Sequence, residues 1–176
     1  MSEKCIVLGV TGGIAAYKAA DLCSKLAQKS YDVHVIMTAS AQELITSRTF
    51  LTLSRNPVMT SLWEEPDWQP GHVALAERAE LLVIAPCTAN FIGKFANGIA
   101  DDALTTYALT HSGKVILAPA MNPKMWNNPA VQANVEFLKK RGIEFIGPAT
   151  GHVACGDAGK GRMVEPEAIL DYIENL

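Results

Sequence analysis

The feature that most restricts the fold is a set of short apolar runs separated by helical segments. Cys5-Ile6-Val7-Leu8-Gly9-Val10, Val33-His34-Val35-Ile36-Met37, Leu81-Leu82-Val83-Ile84-Ala85, Val115 to Ala118 and Glu144 to Gly147 read as strands. Most are apolar at consecutive positions rather than at alternate ones, the pattern of parallel strands covered on both faces. Between them, Ile14 to Gln28, Ala41 to Leu53, Asn90 to Thr110 and Pro129 to Arg141 carry apolar residues at helical spacing, with a break expected near Gly98. Pro166 opens a last helix to Leu176. This alternation implies an α/β fold: a doubly wound parallel sheet flanked by helices, Rossmann-like or flavodoxin-like, forming a single domain over residues 1–176. Ligands of such sheets bind beyond the carboxyl ends of the strands. Arg55 to Gly71 and the glycine-rich stretch Pro148 to Glu165 break the alternation and read as long functional loops.

Composition narrows the partners. At 49% hydrophobic residues, the chain can fill a core. A net charge of −3, a pI near 5.8 and scattered Lys and Arg argue against a nucleic-acid footprint. No apolar run is long enough to span a bilayer. The chain enters a strand directly after Met-Ser-Glu-Lys, so a cytoplasmic protein without a signal peptide is expected. Cys5, Cys23, Cys87 and Cys155 lie far apart, which favours free thiols over a disulfide framework or a metal site.

The candidate site begins at the turn Gly9-Val-Thr-Gly12-Gly13, between the first strand and the first helix. Gly12 and Gly13 let backbone approach a ligand, and a helix N-terminus offers N–H groups to an anion. The spacing is not that of G-x-G-x-x-G, there is no P-loop, and the second strand ends in Met37-Thr38-Ala39-Ser40 rather than in an acidic residue that would hold an adenosine ribose. A mononucleotide such as FMN is the natural remaining ligand. A second turn, Ala85-Pro86-Cys87-Thr88-Ala89-Asn90, again places small and hydroxylated residues at a helix start, where Thr88 could equally be a plain N-cap. Asn122, next to Pro123 in Ala118-Pro-Ala-Met-Asn-Pro-Lys-Met-Trp126, could aim its amide at a substrate carboxylate or serve as a turn or capping residue. His72 could be a general base. His34, His111 and His152 read as structural. In Gly151-His-Val-Ala-Cys155-Gly156-Asp-Ala-Gly159-Lys160-Gly-Arg162, the glycines suggest a lid, and Lys160 and Arg162 would favour a thiolate or bind a phosphate.

Four blocks together resemble the homo-oligomeric flavin-containing Cys decarboxylases. They are Gly9-Val-Thr-Gly-Gly-Ile-Ala-Ala-Tyr-Lys18; Pro86-Cys-Thr-Ala-Asn90, with Cys87 and Thr88 as mild departures; Pro119-Ala-Met-Asn-Pro-Lys-Met-Trp126; and Gly151 to Arg162. The third block is shared with peptidyl-cysteine decarboxylases. The fourth is similar to the substrate clamp of members that act on 4′-phosphopantothenoylcysteine in coenzyme A biosynthesis. The resemblance implies FMN surrounded by Gly12, Gly13, Thr38, Ser40, Phe50, Cys87, Thr88, Ala89 and Asn90. It implies His72 and Cys155 as catalytic residues, with Ala120, Met121, Asn122, Gly156, Lys160 and Arg162 on the substrate. The implied reaction is oxidation to a thioaldehyde, loss of CO2 and reduction of the enethiol, with Cys155 as proton donor. Homotrimers, or assemblies of them, and a monofunctional chain are further expectations. A peptidyl-cysteine decarboxylase, a regulatory flavoprotein and, more distantly, a flavin prenyltransferase are the alternatives.

Overall fold

The computed structural model describes residues 4–63, 71–152 and 158–176. The elements run β1 (Cys5–Val10), α1 (Ala16–Gln28), β2 (Asp32–Met37), α2 (Ala39–Gln42), α3 (Ser47–Ser54), β3 (Val58–Met59), α4 (Gly71–Arg78), β4 (Leu81–Cys87), α5 (Ala89–Ala96), α6 (Ala103–Thr110), β5 (Lys114–Pro119), α7 (Pro123–Trp126), α8 (Pro129–Lys140), β6 (Glu144–Phe145), β7 (Ala149–His152), β8 (Ala158–Arg162) and α9 (Pro166–Glu174). The first six strands form one sheet in the order β3-β2-β1-β4-β5-β6, and every pairing is parallel. This is the doubly wound arrangement expected, in the Rossmann strand order.

Burial on both faces explains the apolar runs. Every residue of β1 and of β4 is buried. Ile6, Leu8 and Val10 point into one core with α1, Phe50 of α3 and α9, while Cys5 and Val7 point into the other with α4, α5, α6 and α8. Gly9 belongs to the crowded second face, where an added Cβ would come within 2.5 Å of Ile84 and 2.7 Å of Leu104.

The long helical stretch after β4 divides at the expected point. Gly98 takes a positive φ of 69° after α5, and Asp102 then starts α6 with a reciprocal cap to Thr105. Ala41 to Leu53 likewise separates into α2 and α3, because Thr38 and Thr46 each occupy an N-cap position.

The two segments that broke the alternation hold strands. The edge strand β3 lies in the first. The antiparallel pair β7-β8 accounts for much of the second, so three of its glycines, Gly151, Gly159 and Gly161, are strand residues rather than parts of a loose lid. Gly159 and Gly161 sit there because an added Cβ would lie 2.9 Å from the Pro123 side chain and 2.3 Å from the Met121 carbonyl oxygen, respectively. The fourth glycine, Gly156, lies outside the described residues, as does Cys155.

A cleft at the carboxyl edge of the sheet

Three chain turns meet at the carboxyl ends of β1, β2 and β4. The buried Thr11 hydroxyl donates to the Pro86 carbonyl at 2.6 Å and accepts from the Thr88 amide at 3.1 Å, tying the glycine turn to the turn after β4. A Cβ on Gly12 would lie 2.4 Å from Ser40 Cβ, and one on Gly13 would lie 3.4 Å from Pro86 and 3.7 Å from Thr88. Glycine at position 12 is therefore what lets the first turn close on Ser40. Thr38 caps α2 through its hydroxyl, and Thr88 caps α5 by accepting from Phe91 N. Helix α1 has no such side-chain cap, since Ala15 holds its N-cap position.

A fourth segment, the loop after β5, completes the wall. Asn122 Oδ1 accepts from Lys124 N at 2.8 Å and caps α7, with Pro123 in the first turn. The amide is thus a capping group, and the cap fixes its orientation beside the cleft. Met121 N donates to Gly161 O at 2.9 Å, which binds this loop to β8.

These segments enclose a cleft of about 600 Å³, whose lining includes Gly12, Gly13, Thr88, Ala120, Met121, Asn122 and Arg162 from among the expected site residues. The volume lies within the usual range for small-molecule pockets. Ile14, Ala15, Tyr17, Lys18, Met125, Gly161 and Met163 also line it. Among the described residues, its charged lining side chains are Lys18 and Arg162, both cations. Lys18 is only 5% exposed; its ammonium donates to Glu165 Oε1 at 2.9 Å and to Met163 O at 3.3 Å. Arg162 donates to the same Glu165 oxygen at 2.6 Å. The Lys18 hydrogen bond is the main cause that holds the Glu165 carboxyl below its ordinary pKa, with Arg162 adding to it.

Other expected residues lie outside this lining. Ser40, Ala89 and Asn90 stand at the starts of neighbouring helices, with Ser40 and Asn90 exposed. Phe50 and Cys87 have no exposed surface, so they support the turns from within the core rather than open onto the cleft. Burial also pushes the Cys87 thiol well above its ordinary pKa. Lys160 is exposed on β8. His72 lies in the first turn of α4, whose far end at Arg78 reaches Asp32 at the amino edge of the sheet. In the sequence Thr11 and Lys18 belong only to the first block; their long-range bonds give them roles that local pattern does not reveal.

His34 and His111 hold bonds within the fold, and the environment of His111 is buried rather than openly polar. Its ring meets the Tyr107 hydroxyl at 3.2 Å and the Lys114 carbonyl at 3.3 Å. Cys5, Asp32 and His34 place their ligand atoms within 4.8 Å of one another, but Arg78 already pairs with Asp32 and His34 there and supplies the cation. His152 lies in β7.

Comparison with protein families matches the Flavoprotein family over residues 1–176. The chain belongs to the Flavoprotein family. Among curated flavoprotein relatives, it is 46% identical over 175 residues to the coenzyme A biosynthesis bifunctional protein CoaBC of Bacillus subtilis (strain 168), covering 99% of this chain and 43% of that protein. The chain thus spans less than half of that relative's length. It is 43% identical to the probable phosphopantothenoylcysteine decarboxylase of Streptococcus mutans serotype c, covering 99% of this chain and 98% of that one. Among solved structures it resembles a cysteine-to-serine mutant of PPC decarboxylase complexed with pantothenoylaminoethenethiol, with a TM-score of 0.87 and 30% identity over 98% of this chain and 97% of that chain. It also resembles the FMN-dependent cysteine decarboxylase SpaF, with a TM-score of 0.84 and 30% identity over 99% of this chain and 97% of that chain.

Proposed function

We propose that this flavoprotein is an FMN-dependent decarboxylase that converts 4′-phosphopantothenoylcysteine to 4′-phosphopantetheine in coenzyme A biosynthesis. The observation that carries this reading is the cleft itself. The Pro119–Trp126 block and the Gly159–Arg162 strand are locked together by glycine-sized contacts, and Lys18 and Arg162 face the space between them and the glycine turn. Among the described residues of the lining, the charged side chains are the two cations Lys18 and Arg162, which suit an anionic cofactor and an anionic substrate.

The residues present fit a phosphorylated flavin. Gly12, Gly13 and the uncapped start of α1 leave backbone at the cleft wall, with Thr38, Ser40 and Thr88 gathered beside it. Ala89 and Asn90 follow Thr88 in the first turn of α5, and Phe50 and Cys87 pack in the core. When bound, FMN supplies a reversible two-electron acceptor, which a substrate with an acylated nitrogen needs because it cannot form an imine. The chain's own residues bind, orient and protonate. The Asn122 amide, held by the α7 cap, receives the substrate carboxylate, with Ala120 and Met121 beside it. Arg162 pairs with a substrate anion at the rim, Lys160 and Gly156 extend the clamp, His72 serves as general base, and Cys155 protonates the enethiol left after CO2 departs. The net reaction releases CO2 with no net change in oxidation state.

Ile14 and Tyr17, 63% and 64% exposed, carry apolar surface beside the same cleft. A second copy of the chain would cover them, which supports a homotrimer with the flavin near subunit contacts. The free thiols of Cys5, Cys23 and Cys87 suit the cytoplasm, and among the described residues no helix is long and apolar enough to cross a membrane. The test is turnover of 4′-phosphopantothenoylcysteine against a peptide ending in cysteine. The expected result is a strong preference for the phosphorylated substrate; equal or better turnover of the peptide would overturn the substrate assignment.

A further inference from the structure

Glu165 is an unusual residue for its place. It occupies the N-cap position of α9, ahead of Pro166, yet its side chain makes no capping bond. Glutamate is not among the residues favoured at that position, so the demands of the helix do not explain it. Its carboxylate instead turns back toward the cleft, where the single oxygen Oε1 accepts from both Lys18 and Arg162. Lys18 comes from the helix that follows the glycine turn, and Arg162 ends β8. One acidic group therefore ties the proposed cofactor wall to the proposed substrate clamp. Being half exposed, at 52%, it gains little stability from the Arg162 pair. The Lys18–Glu165–Arg162 group itself carries a net single positive charge.

We propose that Glu165 is a positioning residue. It holds the Arg162 guanidinium at the rim in one orientation, ready for the substrate's anionic group, while it neutralises the buried Lys18. This rests on the decarboxylase reading above. A free arginine side chain must be ordered when the substrate binds, whereas one already held by Glu165 has lost that freedom beforehand. Removing the carboxylate should therefore weaken substrate capture more than the chemical step.

The test is a double-mutant cycle on the full chain loaded with FMN, comparing wild type, Glu165→Gln, Arg162→Gln and the double variant on 4′-phosphopantothenoylcysteine. Glu165→Gln is expected to raise KM about five- to tenfold with kcat within about twofold of wild type. The KM of the double variant should equal that of Arg162→Gln alone, because Glu165 acts on the substrate through Arg162, whereas loss of the Lys18 pair lowers the melting temperature of both Glu165 variants. An unchanged KM in Glu165→Gln, KM factors that simply multiply in the double variant, or an effect confined to melting temperature would each overturn the proposal while leaving the decarboxylase reading intact. A wild-type chain inert on this substrate would overturn both.

Discussion

Replacing Gly161 by alanine tests whether the substrate wall is held together by backbone contact. The added Cβ would lie 2.3 Å from the Met121 carbonyl oxygen and 3.1 Å from Pro123 N, both backbone atoms with no rotamer to yield. To admit it, β8 must move away from the loop after β5, and the 2.9 Å hydrogen bond from Met121 N to Gly161 O must stretch. Overpacking of this kind costs about 1–3 kcal/mol, and a lost hydrogen bond costs about 1 kcal/mol more. The sum, about 2–4 kcal/mol, corresponds to a fall in melting temperature of about 5–15 °C for a chain of this size. Gly93→Ala is the matched control. Gly93 lies inside α5, where an added Cβ meets nothing closer than Asn134 Nδ2 at 3.8 Å. It should gain about 0.5–1 kcal/mol from helix propensity. Urea denaturation of both variants beside wild type supplies the comparison. A Gly161→Ala protein within about 0.5 kcal/mol of wild type would refute the argument that this glycine is required by close backbone approach.

Three further outcomes are expected. Asn122→Asp should keep its flavin colour yet lose decarboxylation, because its carboxylate repels that of the substrate; CO2 release at the wild-type rate would count against the role given to Asn122. Burial lowers the pKa of His111 from the ordinary 6.5, and burial likewise lowers that of His34 against the opposing pull of Asp32. The unfolded chain therefore takes up protons first as pH falls, so stability present above the unfolded value is lost as pH drops through the folded ones. Urea midpoints between about pH 7.5 and about pH 5 should show this loss, with a shallower slope in His111→Gln. Burial pushes the Cys23 thiol up to about 12 and the Cys87 thiol well above its ordinary value, so neither should alkylate in the native protein at neutral pH, whereas both should react in urea.

The legible parts of this fold are those whose burial is written in side chains. β1 and β4 are buried along their whole length, so their sequences carry no alternation and identify themselves as parallel strands. The helix break near Gly98 was equally visible, because a glycine with positive φ and an Asp cap are local devices. β3 was hidden because it is two residues long, next to Pro57, at the edge of the sheet. β7 and β8 were hidden for a different reason. Their contact with the loop after β5 is made by glycine backbone against Pro123 and Met121, so hydrophobic patterning has nothing to register and the glycines read as looseness.

The site divides in the same way. Gly12, Gly13, Thr88 and Asn122, which line the cleft, stand out in the sequence because the chemistry of turns and caps is local. The role of Lys18 is hidden in the sequence because its partner, Glu165, lies 147 residues away. Phe50 and Cys87 belong to the cofactor's expected surroundings by resemblance alone, and both are fully buried in the core.

The most direct test of the central claim is CO2 release by the FMN-loaded chain given 4′-phosphopantothenoylcysteine. The account predicts repeated turnover, with one CO2 released for each 4′-phosphopantetheine formed and the flavin returned to its oxidised colour. A protein that binds FMN but releases no CO2 from this substrate would contradict it.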